Sequence, residues 1–115
     1  MKNIKITKNE FLIGDKIGYA NNPISRFFGL LNKKTIVDGE GVFLTPCNSI
    51  HMFFMKFPID VVFLDRKYKV VKIMEDLKPW KISPVVFKAQ SVLELPVGSI
   101  KKYQIVENDV LEIIF

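Results

Sequence analysis

The 115-residue sequence is poor in several chemically distinctive residues, with one cysteine, one histidine and one tryptophan. A single cysteine excludes an internal disulfide. One cysteine and one histidine also cannot supply the four ligands that a structural zinc site usually takes from these residue types. The sequence therefore predicts neither a metal site nor another cofactor.

Long apolar runs are missing as well. None approaches the roughly 20 residues that cross a bilayer, so no membrane span is predicted. The first six residues alternate polar and apolar side chains and lack the apolar core of a signal peptide. Together with the single cysteine, these features predict a soluble protein of the cytoplasm.

Arginine is scarce, although the formal net charge is +5: only two of the 17 basic residues are Arg. Phosphate and base recognition favours the planar guanidinium group, and no alternation of aromatic and basic residues suggests a stacking platform. The basic residues are spread along the sequence. We therefore expect a lysine-rich surface and no nucleic-acid partner.

Apolar residues are plentiful. They make up 49% of the chain and include ten Phe, which is enough for one hydrophobic core in a single domain over residues 1–115. Short runs with a period of two, punctuated by turn residues, predict a mostly β fold. The predicted strands lie at about 4–6, 10–13, 17–20, 41–44, 50–57, 59–64, 68–74, 90–95 and 110–115.

Residues 23–31 break the strand pattern. Asn22 is a good N-cap, and Pro23 suits the first position of a helix. Apolar residues then recur at the spacing of an amphipathic helix, at positions 24, 27, 28 and 31. The sequence predicts one short helix whose apolar face packs on the sheet.

Several motifs occur in a fixed order along the chain: RFFGLL at 26–31, GVFL at 41–44, PC at 46–47, HMFFMKFPIDVVFLD at 51–65, KPWK at 78–81, VLELPVG at 92–98 and ND at 108–109. This series, over about residues 20–111, resembles the family named domain of unknown function 192. The resemblance implies a compact β-sandwich, or jelly-roll-like barrel, with one short helix. It implies no activity and no catalytic residues. Some relatives carry an export signal, which does not appear here.

Two acidic residues occur inside apolar strands, where an ionised carboxylate is costly unless it is paired or hydrogen-bonded. Asp60 is one, and we consider Lys56, His51 and Arg26 as its partners. Glu94 is the other. Asp60 can serve as a catalytic carboxylate, as the group that orients His51, or as part of a structural network around Pro58.

Cys47, His51 and Asp60 could in principle form a thiol nucleophile, its base and the group that orients the base. That hypothesis requires an exposed Cys47 with a lowered pKa. With Glu94 the same residues could make a mixed metal site, but their spacing does not call for one. Trp80 either caps one end of the core or presents a stacking surface for a sugar or a peptide.

Three functions remain open, of which the third is a purely structural partner in a larger assembly, which an exposed apolar patch would indicate. The first is a non-enzymatic binding or accessory module that takes a polar small molecule, a glycan or a peptide. Its candidate residues are Arg26, His51, Lys56, Asp60, Trp80 and Glu94. The second is a small hydrolase-like enzyme that uses Cys47, His51 and Asp60.

Overall fold

The computed structural model describes all 115 residues, Met1–Phe115. Its elements are β1 (Lys2–Lys8), β2 (Phe11–Ala20), α1 (Pro23–Phe28), β3 (Gly39–Leu44), β4 (Ile59–Leu64), β5 (Val70–Leu77), β6 (Ser91–Pro96), α2 (Ser99–Lys102) and β7 (Glu112–Ile114). The prediction of a mostly β chain is confirmed. A second short helix, α2, accompanies the predicted one.

The seven strands form one mixed sheet in the order β5-β4-β6-β3-β2-β1-β7. β2 and β3 pair in parallel, and every other neighbouring pair is antiparallel. The predicted two-sheet sandwich is therefore wrong, because the connection through α1 returns the chain beside β2 instead of carrying it to a second sheet. The predicted turn after Ile13 is also absent, since β2 continues through Gly14 with an irregularity in its pairing.

The sheet is strongly curled into a half-barrel. An isolated bridge between Lys69 and Val110 brings the start of β5, at one edge, towards the segment that precedes β7 at the other edge. A cluster of 13 buried residues fills the enclosed side, with members at or near both edges, such as Val70 of β5 and Leu111 just before β7. This cluster is the inner core.

A second cluster of 14 buried residues lies on the other side of the sheet. Alternation along β4 separates the two sides: Val62 and Leu64 belong to the inner core, whereas Val61 and Phe63 belong to the outer one. All six residues of β4 are buried, because both faces of this strand are covered. The strand predicted at 59–64 is thus confirmed.

Three connecting segments cover the outer core, and we call them together the outer layer: residues 21–37, 45–58 and 78–90. They contribute Leu30, Met52 and Ala89, among others, to the outer cluster. Backbone hydrogen bonds join the second and third segments, as where Ser83 N–H donates to Ile50 O at 2.9 Å. The outer layer thus replaces the second sheet of the expected sandwich.

Residues 50–57 belong to this layer and do not form the buried strand that their composition predicts. Ile50, Met52 and Met55 are buried, whereas Phe53 and Phe54 are exposed. A single bridge, between His51 and Ile82, is their only β pairing. No helix of the structure is long and apolar enough to cross a bilayer.

Candidate functional site

Asp60 lies in β4 on the side of the inner core and is fully buried. Its Oδ2 accepts hydrogen bonds from the N–H groups of Gly98 at 3.1 Å and Ile100 at 3.0 Å, and its Oδ1 accepts one from the N–H of Asp76 at 2.9 Å. These three backbone donors satisfy the carboxylate and fix the turn into α2.

The predicted side-chain partners of Asp60 are wrong. None of the ion pairs in the structure involves Asp60, and its hydrogen bonds all come from backbone N–H groups. Lys56 is exposed on the outer layer. Asp60 is therefore explained by its part in the fold, because its oxygens are occupied by the protein itself.

Glu94 lies on the opposite side of the sheet. In the antiparallel pairing of β4 with β6, Asp60 faces Leu95 and Val61 faces Glu94, so the two carboxyl groups point to opposite faces. Glu94 is only 6% exposed. Its carboxyl group makes no hydrogen bond and no ion pair with the rest of the chain, in contrast to that of Asp60.

The side chain of Glu94 contributes to the wall of a cleft between α1 and residues 44–55, with a volume of about 290 Å³. A Cβ added to Gly29, at the end of α1, would lie 3.8 Å from Glu94 Oε1. The carboxyl group thus reaches the segment that follows α1. Burial in these surroundings raises the pKa of Glu94 to about 7.

Helix α1 forms one wall of the cleft. Asn22 caps it as predicted: Asn22 Oδ1 accepts from Ser25 N–H at 2.9 Å. The helix ends at Phe28, three residues earlier than predicted, with Gly29 in a positive-φ conformation. The prediction that the apolar stripe of this helix packs on the sheet is wrong, because none of its residues is buried.

The apolar contact comes instead after α1, where Leu30 enters the outer core. Phe27 and Phe28 remain exposed and meet edge to face with ring centroids 5.3 Å apart. Both line the cleft, together with Met55 from the second segment. None of these three residues was expected in a site. For Phe27 and Phe28 the signal was the apolar stripe of α1, most of which stays exposed, whereas nothing in the sequence marked Met55.

Arg26, Cys47 and His51 also line the cleft, so three of the predicted site residues meet there with Glu94. Arg26 donates from Nη1 to Thr45 O at 3.4 Å. It forms no ion pair with Glu94. The cleft therefore combines apolar walls with one cation and one carboxyl group that do not neutralise each other.

Cys47 donates its thiol to Ser49 O at 3.2 Å. Burial raises the pKa of this thiol, and the nearby Glu94 acts in the same direction. His51 stacks on Phe53 with ring centroids 5.0 Å apart, and no hydrogen bond joins its ring to Cys47. Asp60 lies on the other face of the sheet, so the three residues of the hydrolase hypothesis are not assembled. No three His, Cys, Asp or Glu side chains are grouped as metal ligands would be.

Trp80 is 60% exposed, so the prediction that it caps the core is wrong. Its ring lies 6.0 Å from that of Phe53 and 4.9 Å from that of Phe54. The rings of Trp80, Phe54, Phe53 and His51 thus form one aromatic group, and its His51 end lines the cleft.

The curled sheet with a cleft on its outer face defines a small, mostly β protein of one domain. The chain belongs to the DUF192 family of uncharacterised proteins (Uncharacterized ACR, COG1430), whose family model matches residues 4–113. The resemblance seen in the ordered motifs is thus confirmed.

Curated relatives agree with this assignment. The UPF0127 protein TK1120 of Thermococcus kodakarensis is 36% identical over 101 residues, which cover 84% of this chain and 63% of the relative, less than two thirds of its length. The UPF0127 protein PH1112 of Pyrococcus horikoshii is 38% identical over 88 residues, covering 72% of this chain and 74% of the relative.

A crystal structure of a protein of unknown function from Novosphingobium aromaticivorans has a similar fold. The TM-score is 0.81, with 20% sequence identity over 96% of this chain and 83% of that chain. At this identity the likeness concerns the fold alone.

Proposed function

We propose that this protein is a binding module, and that its cleft takes a small group with an apolar body and a hydrogen-bond donor directed at Glu94. The observation that carries the proposal is the state of the Glu94 carboxyl group. The residue is only 6% exposed and faces a cleft, and no group of the protein donates a hydrogen bond to its carboxyl group. Its oxygens keep contact with the solvent of the cleft, because no wholly buried side-chain oxygen of the protein lacks a partner.

The energetic argument follows from how buried polar groups behave. A carboxyl group that is largely buried, and that meets solvent only through a small cleft, is poorly solvated in its ionised form, which is why its pKa is raised. A ligand that donates to Glu94 would recover about 1.5–3 kcal/mol, the net value of a hydrogen bond to a charged group. An ammonium group would gain most, since it also neutralises the ionised carboxylate.

The size and lining of the cleft favour a compact ligand. Its volume of about 290 Å³ is at the small end of ligand sites and fits one ring or one side chain. Phe27, Phe28 and Met55 provide apolar surface for the body of such a group. The ligand would be a free small molecule or one side chain of a peptide.

Three fragments of matched shape test the proposal: benzylamine, benzyl alcohol and benzoate. Their binding would be followed by NMR, from the shifts of residues that line the cleft, at about pH 8 where Glu94 is ionised. We expect benzylamine to bind best, benzyl alcohol more weakly and benzoate least. The absence of binding by all three, or a preference for benzoate, would refute the proposal.

Two variants sharpen this test. Glu94→Gln should weaken the binding of benzylamine at least about tenfold, because one charge-assisted hydrogen bond is lost, and should affect the binding of benzyl alcohol less. Glu75→Gln is the matched control, because Glu75 is an exposed carboxylate of β5 with no assigned contact. An equal loss of affinity in both variants would show that binding does not depend on Glu94.

The hydrolase hypothesis keeps one supporting observation, which is that Cys47 and His51 line the same cleft. The raised pKa of Cys47 weighs against it, because a nucleophilic cysteine must be a thiolate near neutral pH. A binding module requires no thiolate. We therefore prefer the binding function.

A further inference from the structure

Basic residues that are scattered along the sequence gather in the outer layer. Its three segments hold seven of the 17 basic residues and none of the twelve acidic ones. The remainder of the chain therefore carries ten basic and twelve acidic residues. Lys78 is paired with Asp76 of β5 at 2.7 Å, but no salt bridge involves the other six. The positive charge of the protein is thus concentrated in the outer layer, with Lys33 and Lys88 at its margins, beside Glu40 and beside Asp65 and Glu107 respectively.

The same layer exposes a large share of the apolar side chains. It holds ten of the 18 large hydrophobic residues that are exposed, and six of the eight exposed aromatic ones. These six are Phe27, Phe28, Phe53, Phe54, Trp80 and Phe87. Ring contacts join Phe53, Phe54 and Trp80 into one exposed group, and Phe27 and Phe28 into another. Clustered exposed apolar side chains of this kind mark a site of interaction with a protein or a membrane.

The backbone holds two of these rings away from the core. Phe54 and Trp80 have φ values of 66° and 71°, in the left-handed region that bulky residues seldom adopt. The fully buried Met52 joins the segments that carry these two rings, 45–58 and 78–90. Its N–H donates to Lys81 O at 2.7 Å, and its carbonyl accepts from Trp80 N–H at 2.8 Å. The exposed rings are therefore held on a fixed backbone, in a conformation that is strained for a bulky residue.

We propose that the outer layer is a docking surface for anionic lipid membranes, with its aromatic side chains at the level of the lipid headgroups. Trp and Phe favour this interfacial position, and lysines beside them are attracted to anionic lipid. The proposal concerns the whole outer surface and does not depend on what the cleft binds.

The composition of the surface favours lipid over nucleic acid. Six of its seven basic residues are Lys, whereas phosphate recognition in nucleic acids favours the bidentate Arg side chain. Aliphatic side chains, such as Ile24 and Ile82, are exposed beside the aromatic ones. Aliphatic groups gain from insertion among lipid chains but offer no face on which a base can stack.

Trp80 is the only tryptophan and provides a direct readout of docking. The full chain would be mixed with vesicles of phosphatidylcholine alone, or of phosphatidylcholine with about one-third phosphatidylserine, near physiological salt. We expect co-sedimentation and a blue shift of Trp80 fluorescence with the anionic vesicles, both reduced by high salt. No binding to either vesicle, or equal binding to both, would overturn the proposal.

Variants of exposed residues distinguish the docking surface from the rest of the molecule. Phe54→Asn, in which Asn tolerates the left-handed backbone, should weaken vesicle binding about tenfold. Lys81→Glu should weaken it about fivefold or more, given roughly 1 kcal/mol per Lys near an anionic surface. The controls Phe11→Ser and Lys5→Glu change exposed residues of β2 and β1 and should bind as the wild type does.

Two further outcomes would contradict the proposal. One is a loss in the controls equal to that in the outer-layer variants, which would indicate non-specific charge attraction. The other is tight binding to a single-stranded oligothymidine without binding to vesicles, which would assign the surface to nucleic acid.

Discussion

Asp60 provides the prediction with the largest expected effect on stability. Its carboxylate is fully buried and accepts three backbone N–H groups, at 2.9, 3.0 and 3.1 Å. In Asp60→Ala these donors lose their partner, at about 1–3 kcal/mol for each unsatisfied buried group. Only the bond from Ile100 is completely buried, so water can partly replace the other two. We therefore expect a loss of about 3–6 kcal/mol, a large part of the stability of a small domain.

The loss would be measured by urea denaturation at neutral pH. Asp65→Ala is a matched control, because Asp65 also accepts backbone N–H groups, from Lys67 at 2.8 Å and Lys69 at 3.0 Å, but in an exposed turn. Water replaces the lost acceptor there, and we expect the control to cost less than about 1.5 kcal/mol. Equal losses in the two variants would refute the structural role assigned to Asp60.

Three further predictions concern Glu94, Cys47 and Gly41. Burial raises the pKa of Glu94 from 4.5 to about 7. The folded state therefore binds more protons than the unfolded state between these values, and the free energy of unfolding should fall by about 3 kcal/mol as pH rises through this range. Urea denaturation across the range should show this slope in the wild type and not in Glu94→Gln. Cys47 should react slowly with iodoacetamide near neutral pH, because its pKa is raised, and His51→Asn should not change the rate, as mass spectrometry would show. Gly41→Ala should lower stability by about 1–3 kcal/mol in thermal denaturation, because the new Cβ would collide with the backbone oxygen of Glu94.

Each of these has a contrary result. Equal pH slopes in the wild type and in Glu94→Gln would mean that the carboxyl group is hydrated. Rapid alkylation of Cys47 that depends on His51 would restore the hydrolase hypothesis. An unchanged melting temperature in Gly41→Ala would show that β3 and β6 can move apart at no cost.

The sequence predicts well where local signals decide the structure. The apolar run 59–64 becomes the buried strand β4, and the chain turns at Asp65, between the predicted strands 59–64 and 68–74, with the Asp65 carbonyl accepting from Tyr68 N–H at 3.0 Å. The cap at Asn22 is likewise local. In each case neighbours in the sequence supply the interactions, so no knowledge of the tertiary fold is required.

Prediction from the sequence fails where an exposed loop is as apolar as a buried strand. Residues 50–57 are almost continuously apolar, and this composition is typical of a buried strand. In the structure Met52 is buried while Phe53 and Phe54 project outwards. Apolar surface that is kept exposed cannot be distinguished from core by hydropathy, because both have the same composition.

The candidate site shows a related limit. Asp60 and Glu94 look equivalent in the sequence, as single acidic residues within apolar strands. The pairing of Asp60 with Leu95 and of Val61 with Glu94 sends them to opposite faces. Register depends on the whole sheet, so the sequence could not show that one carboxylate is satisfied and the other free.

The carboxyl group of Glu94 can be observed directly by carbon-13 NMR, which follows its ionisation in the free protein and with benzylamine. We predict a midpoint near pH 7 without the amine, and a much lower midpoint at saturation, since the bound ammonium group stabilises the carboxylate. A midpoint near the ordinary value of 4.5 in the free protein, or one that benzylamine does not move, would contradict the binding function proposed for the cleft.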